Sequence, residues 1–260
     1  MWDIVRSVFY TCRKRSLMKI IFVLMLLCSC SQLFTFSFYA LGYEGPTAGE
    51  FSATYIPLIN TFAQIFLIMN TCYICTMDFG DKTANCELVT GHTRFEVYSA
   101  RIIASLILSI SGFLLCFIVP AAAASIMWGW GSCIYLGEMI FRWLILIIPA
   151  ARIALETAAL SFIIRKPSAV FITTFMAYTC LNAGINFAET SGANCILGIT
   201  NLNELCNIDF WSTYGLNKVW ITFDAAVSPS FIAATIIISV IASVLFFFIG
   251  YTFFRYDDID

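Results

Sequence analysis

Residues 102–124 read IIASLILSISGFLLCFIVPAAAA, and no charged side chain follows them until Glu138. About 20 helical residues cross a hydrocarbon core of about 30 Å, so this stretch is long enough to span a bilayer. Pro120 and the Trp128-Gly129-Trp130 run predict that it leaves the membrane near Ala124. The rest of the chain has the same character. Of its 260 residues, 60% are hydrophobic and 12% charged, with a mean hydropathy of +0.88. A soluble domain carries about a quarter charged residues, so the bilayer is the expected solvent.

Working outward, six apolar segments are expected to span, at 20–41, 54–77, 98–123, 139–164, 168–188 and 230–254. Alternating-period strands are absent, which excludes an outer-membrane barrel pattern. The expected fold class is an all-α integral membrane protein, a single transmembrane domain over 1–260. Lys and Arg in short loops set orientation. Arg6, Arg13, Lys14, Arg15, Lys19, Lys82, Arg94, Arg101, Arg165, Lys166 and Arg255 fall on one side. Lys218 alone falls on the other, while Arg142 and Arg152 lie within a span. Both termini are therefore expected in the cytoplasm of a multi-pass cell-membrane protein. The apolar run after Lys19 is longer than a signal-peptide core and lacks a clean cleavage site, so it reads as a retained helix.

Residues 1–19 form an amphipathic segment. Trp2, Val5, Val8, Phe9 and Cys12 recur at helical spacing, with Arg6, Arg13 and Arg15 off that stripe. This predicts a helix in the inner interface with its cations near anionic head groups. The longest polar stretch on the inner side is DFGDKTANCELVTGHTRFEVYSAR, residues 78–101. A short helix fits 81–90, stopped by Thr90-Gly91. Thr93 and Glu96 then spell a capping box for the next helix. Residues 190–229 form an outer segment of unusual length for a loop. Its moderately apolar stretches and Trp211, Tyr214 and Trp220 predict two short re-entrant or interfacial helices.

The sequence contains no GxxxxGK[ST] loop, no strand-borne GxGxxG and no GxSxG elbow. Its single histidine, His92, excludes HExxH chemistry. Hydrolytic catalysis is not expected, and neither is a metal site. Of the eleven cysteines, Cys28, Cys30, Cys72, Cys116 and Cys180 lie in apolar runs, where cysteine is a small hydrophobe. Cys72-Tyr-Ile-Cys75 spells CxxC without a second pair, so it reads as packing. Cys195 and Cys206 fall in the outer segment, where a disulfide is permitted. Arg152 and Glu156 stand at i and i+4 and face the same side as an intramembrane ion pair, structural or functional. Phe171, Phe175, Tyr178, Asn182 and Asn186 form one stripe, and Asn60, Gln64 and Thr71 another. Buried amides in lipid line a wet path or join helices, and both readings stay open.

This layout resembles the ABC-2 type permeases, the membrane subunits of ABC exporters. The resemblance covers nearly the whole chain through topology: six spans, an amphipathic N-terminal helix, a cytoplasmic helix after the second span and an outer segment before the last. It also covers a motif, read here as Asp81, Thr83, Leu88, Gly91, Thr93-Arg94, Tyr98 and Arg101. Lys82 stands where the family usually has Gly, and Arg101 where Lys is commoner.

The resemblance implies that 81–90 is a coupling helix docking on a separate ATP-binding subunit, with Asp81, Lys82, Thr83, Glu87, Leu88, Gly91, Arg94 and Glu96 at that contact. ATP and magnesium would be bound by that partner, and this chain would have no cofactor and no enzymatic activity of its own. A second permease, identical or similar, would complete the path, with the first and fifth spans at the interface. The implied cargo is an amphipathic or hydrophobic peptide of toxin or antimicrobial type, as in bacterial peptide exporters and immunity systems. Membrane lipid is an expected partner and nucleic acid is not. Two other classes stand beside this one. An ion-coupled secondary transporter would use Arg152 and Glu156, and a scaffold or sensor would bind partners through its outer segment.

Overall fold

The computed structural model describes residues 1–40, 46–80, 91–131, 136–190 and 229–256. Seven helices follow in order: α1 (Trp2–Lys14), α2 (Ser16–Ala40), α3 (Ala48–Gly80), α4 (Arg94–Trp128), α5 (Leu136–Ile164), α6 (Pro167–Thr190) and α7 (Pro229–Tyr256). The described residues are helix and connecting segment, without strands. Stretches within α2, α4, α5 and α7 are long and apolar enough to cross a membrane. Helices α3 and α6 contain shorter apolar stretches, Phe62–Met77 and Pro167–Ala177. This is the make-up of a membrane protein.

Local chemistry sets the breaks. Arg15 adopts extended angles (φ −74°, ψ 122°) and separates α1 from α2. Gly129, at φ 72°, caps the end of α4 after Trp128. Arg165 ends α5 in the left-handed region (φ 62°), and Pro167 then opens α6 at a position where its missing N–H has no helical partner to lose. Helix α4 continues through Pro120, and α5 through Pro149.

Helix α3 sits centrally and touches α2, α4, α5 and α6, while α7 lies mainly on α5. Two apolar clusters fill the bundle. One joins Phe36, Phe51, Leu67, Phe113 and Phe117 with Ala154 and Val170. The other joins Ile4, Val5 and Val8 of α1 to Ile74, Tyr98, Phe162 and Phe254. At the Phe51 end, the N–H groups of Ala48 and Gly49 donate to the carbonyls of Gly129 (2.9 Å) and Trp130 (3.0 Å). Thr47 and Glu50 bond each other's backbone N–H groups at 3.3 Å, a capping box that starts α3.

Two expectations change in detail, those for Trp2 and Arg101, while the burial of Gln64 leaves both readings of its stripe open. Trp2 does not share the buried stripe of α1; it is 68% exposed, and Ile4 takes the place beside Val5, Val8 and Cys12. Arg101 is not a loop cation: it lies in the second turn of α4, fully buried, because α1 and the end of α3 close over that stretch. Gln64 is buried at 2% exposure inside one copy of the chain.

Candidate functional site at the start of α4

The polar stretch between α3 and α4 leads into the candidate site. Residues 81–90, with Asp81, Lys82, Thr83, Glu87 and Leu88, lie outside the described residues. The described part opens with Gly91 at φ 94°, a backbone region that suits glycine. Thr93 caps α4 as its sequence predicts. The Glu96 N–H donates to Thr93 Oγ1 at 3.3 Å, and the Thr93 N–H donates to Glu96 Oε2 at 3.1 Å. The box satisfies N–H groups that a helix start leaves open. His92 Nδ1 stands 3.6 Å from the same carboxylate oxygen. The Glu96 carboxyl is held below its usual range, first by the Thr93 backbone N–H.

The start of α4 is tied to the end of α7. Arg94 Nη1 donates to the Arg255 carbonyl at 2.7 Å. A guanidinium there meets the negative end of a helix, where carbonyls lack donors. One turn later, the buried Tyr98 hydroxyl donates to the Phe247 carbonyl at 2.8 Å. The Tyr98 ring packs at 4.7 Å from Phe162, 5.3 Å from Phe247 and 5.6 Å from Tyr251. Phe95 meets Tyr251 edge to face at 5.3 Å. Gly250 makes the approach fit: a Cβ there would lie 2.5 Å from the Tyr98 oxygen and 3.0 Å from Ala159 Cα. Arg94 and Tyr98 thus tie the start of α4 to the end of α7.

Elsewhere the predicted residues fall in separate places. Arg152 Nε lies 3.5 Å from Glu156 Oε1, with side chains 6% and 16% exposed, so the pair forms inside the bundle. Phe171 and Phe175 stack on α6 at 6.2 Å, half-buried. Tyr178, Asn182 and Asn186 continue α6, and Asn60 sits in α3, but these side chains lie outside the described residues. Cys195 and Cys206 lie outside them altogether, as does the expected outer segment 190–229 apart from Thr190, which ends α6, and Pro229, which starts α7. Cys72 and Cys75 are both buried in α3. Among the described residues, no three His, Cys, Asp or Glu side chains gather where a metal ion could be held.

Several contacts escaped sequence reasoning. Ser109 of α4 meets Thr71 at 2.8 Å and accepts from Asn70 Nδ2 at 3.3 Å. Thr71 thus joins helices, one of the two readings open for its stripe. The adjacent polar pair Asn70-Thr71 inside an apolar run was the available signal. Thr47-Ala-Gly-Glu50 likewise spells its capping box locally. Tyr98–Phe247 and Arg94–Arg255 had no local signal. The chain matches no protein-family model, and comparisons with curated proteins and with solved structures also find no match.

Proposed function

We propose that this chain is the permease subunit of an ATP-driven exporter of the ABC-2 type. It moves amphipathic or hydrophobic peptides outward, while a separate subunit binds and hydrolyses ATP. The observation that carries this reading is the construction around the polar stretch before α4. A ten-residue polar segment follows α3, a capping box starts the next helix rigidly, and Arg94 and Tyr98 fasten that start to α7. A helix start fastened this way can pass movement from a partner into two long helices. A motor supplies the bias through different contacts in its two states.

The six-span topology with both ends cytoplasmic belongs to the same proposal. So do re-entrant helices in the outer segment, a bacterial cell membrane and a second permease. Exposed apolar side chains on α2, such as Phe34 and Phe38, and Ile172 and Met176 on α6, suit lipid or a second copy. The absence of nucleotide motifs fits a motor on another chain. Charge reversal at Asp81 and Glu87 is expected to abolish stimulation of the partner's ATPase while leaving thermal stability unchanged. Unchanged stimulation removes the coupling role.

The buried Arg152–Glu156 pair is the observation that favours a second reading, an ion-coupled carrier. That carrier would transport in response to an ion gradient without any ATPase, and Glu156→Gln would stop it.

A further inference from the structure

Helix α1 has two faces, and among the described residues one packs into the bundle while the other is exposed. Ile4, Val5, Val8 and Cys12 pack into the cluster that contains Ile74, Val97 and Ala100. The opposite face carries Trp2, Arg6, Tyr10, Arg13 and Lys14, all exposed. Trp2 is 68% and Tyr10 60% exposed, and Lys14 Nζ stands 4.8 Å over the Tyr10 ring. Asp3, the one acid of the helix, is exposed on the same face, against the three cations Arg6, Arg13 and Lys14. Arg15 is excluded from this face: its Nη1 donates to Tyr73 Oη at 3.4 Å. Lys19, one turn into α2, is exposed as well.

This combination fits neither bulk water nor hydrocarbon. Two large aromatics facing water forgo burial, and arginines facing hydrocarbon are strongly disfavoured. The head-group layer accepts both, since Trp and Tyr settle at that level and cations meet anionic lipid there. The ordinary amphipathic helix inserts an apolar stripe. Here that stripe is consumed by α3 and α4, so attachment is left to the aromatics and the charges.

We infer that the Trp2-Arg6-Tyr10-Arg13-Lys14 face is a docking surface for the anionic head groups of the adjoining leaflet, and that anionic lipid thereby fastens α1 against α4. The inference does not depend on the ABC reading, because it rests on the exposed face of α1 alone. Its consequence is selective: anionic lipid steadies α1, whereas a zwitterionic bilayer leaves it held by its buried side alone.

The test uses the full chain reconstituted in phosphatidylcholine vesicles, and in vesicles of phosphatidylcholine and phosphatidylglycerol in equal parts. Amide hydrogen exchange over α1 is followed, with residues 94–104 of α4 as the folding control. One basic side chain near an anionic surface contributes about fivefold in binding. The α1 amides are expected to exchange roughly tenfold more slowly or better on the anionic vesicles, an effect diminished by salt. The combined variant R6Q/R13Q/K14Q should lose that difference with the control unchanged, and W2A should lose part of it. Equal exchange on both vesicles overturns the inference, as does a difference that survives in the charge variant. Slowing by inorganic phosphate on phosphatidylcholine alone shows an ion site rather than a surface. Slowing that needs an added ATP-binding subunit assigns the face to a protein partner. Either outcome also overturns it.

Discussion

Tyr98 places a hydroxyl in an apolar interior and satisfies it on the Phe247 carbonyl. Interhelical bonds of this kind contribute about 0.6 to 2 kcal/mol in membranes. Tyr98→Phe keeps the ring and its four aromatic neighbours, so its stability loss should stay near about 1 kcal/mol in thermal unfolding. Gly250→Ala is the harsher change, because Ala159 backbone stands 3.0 Å from the new Cβ. Overpacking of this sort costs about 1–3 kcal/mol, which a loss in unfolding midpoint should show. Glu96 gives a pH dependence with a definite sign. Its pKa is lowered in the folded protein, so its contribution is full above the unfolded carboxylate value and fades as pH falls through the lower folded one. Glu96→Gln should therefore flatten the dependence of the unfolding midpoint on pH through the acid range. An unchanged slope would assign that dependence to other groups.

At the scale of elements, apolar run length and punctuation were readable in the sequence. Gly129, Pro167 and Pro229 fall at helix boundaries, and the Thr93–Glu96 box forms as its spacing predicts. What lay beyond reach depends on rotation and on distant partners. The stripe read on α1 keeps Val5, Val8 and Cys12 but takes Ile4 in place of Trp2: both are apolar, and only the surface offered by α3 and α4 selects Ile4. Arg101 reads as a loop cation because its burial follows from α1 folding back. Tyr98 and Phe247 are 149 residues apart, so no window joins them. Among candidate-site residues, Gly91, Arg94 and Glu96 gained a described setting, while Asp81 to Leu88 remain sequence expectations. The α3–α4 joint offers a direct check. Ser109→Ala removes the hub shared by Asn70 and Thr71 and should cost about 1 kcal/mol in unfolding. A neutral result would place the strength of that joint in apolar packing, including Phe66 against Gly112.

For the whole molecule, the parts form a chain of mechanical contacts. A polar segment after α3 precedes the capped start of α4, and α4 is fastened to α7, which lies along α5. The Arg152–Glu156 pair sits on α5 inside that assembly. In the proposed exporter, a motor moves the polar segment and the helices follow together. An ion-coupled carrier instead places the driving event at Glu156 and leaves the polar segment idle. The measurement that separates them is purification of the chain with the ATP-binding protein encoded nearest to it, followed by ATPase activity in lipid. A stable complex whose ATP turnover rises with amphipathic peptide is the predicted result. No complex with any ATP-binding subunit, together with transport driven by an ion gradient alone, would contradict it.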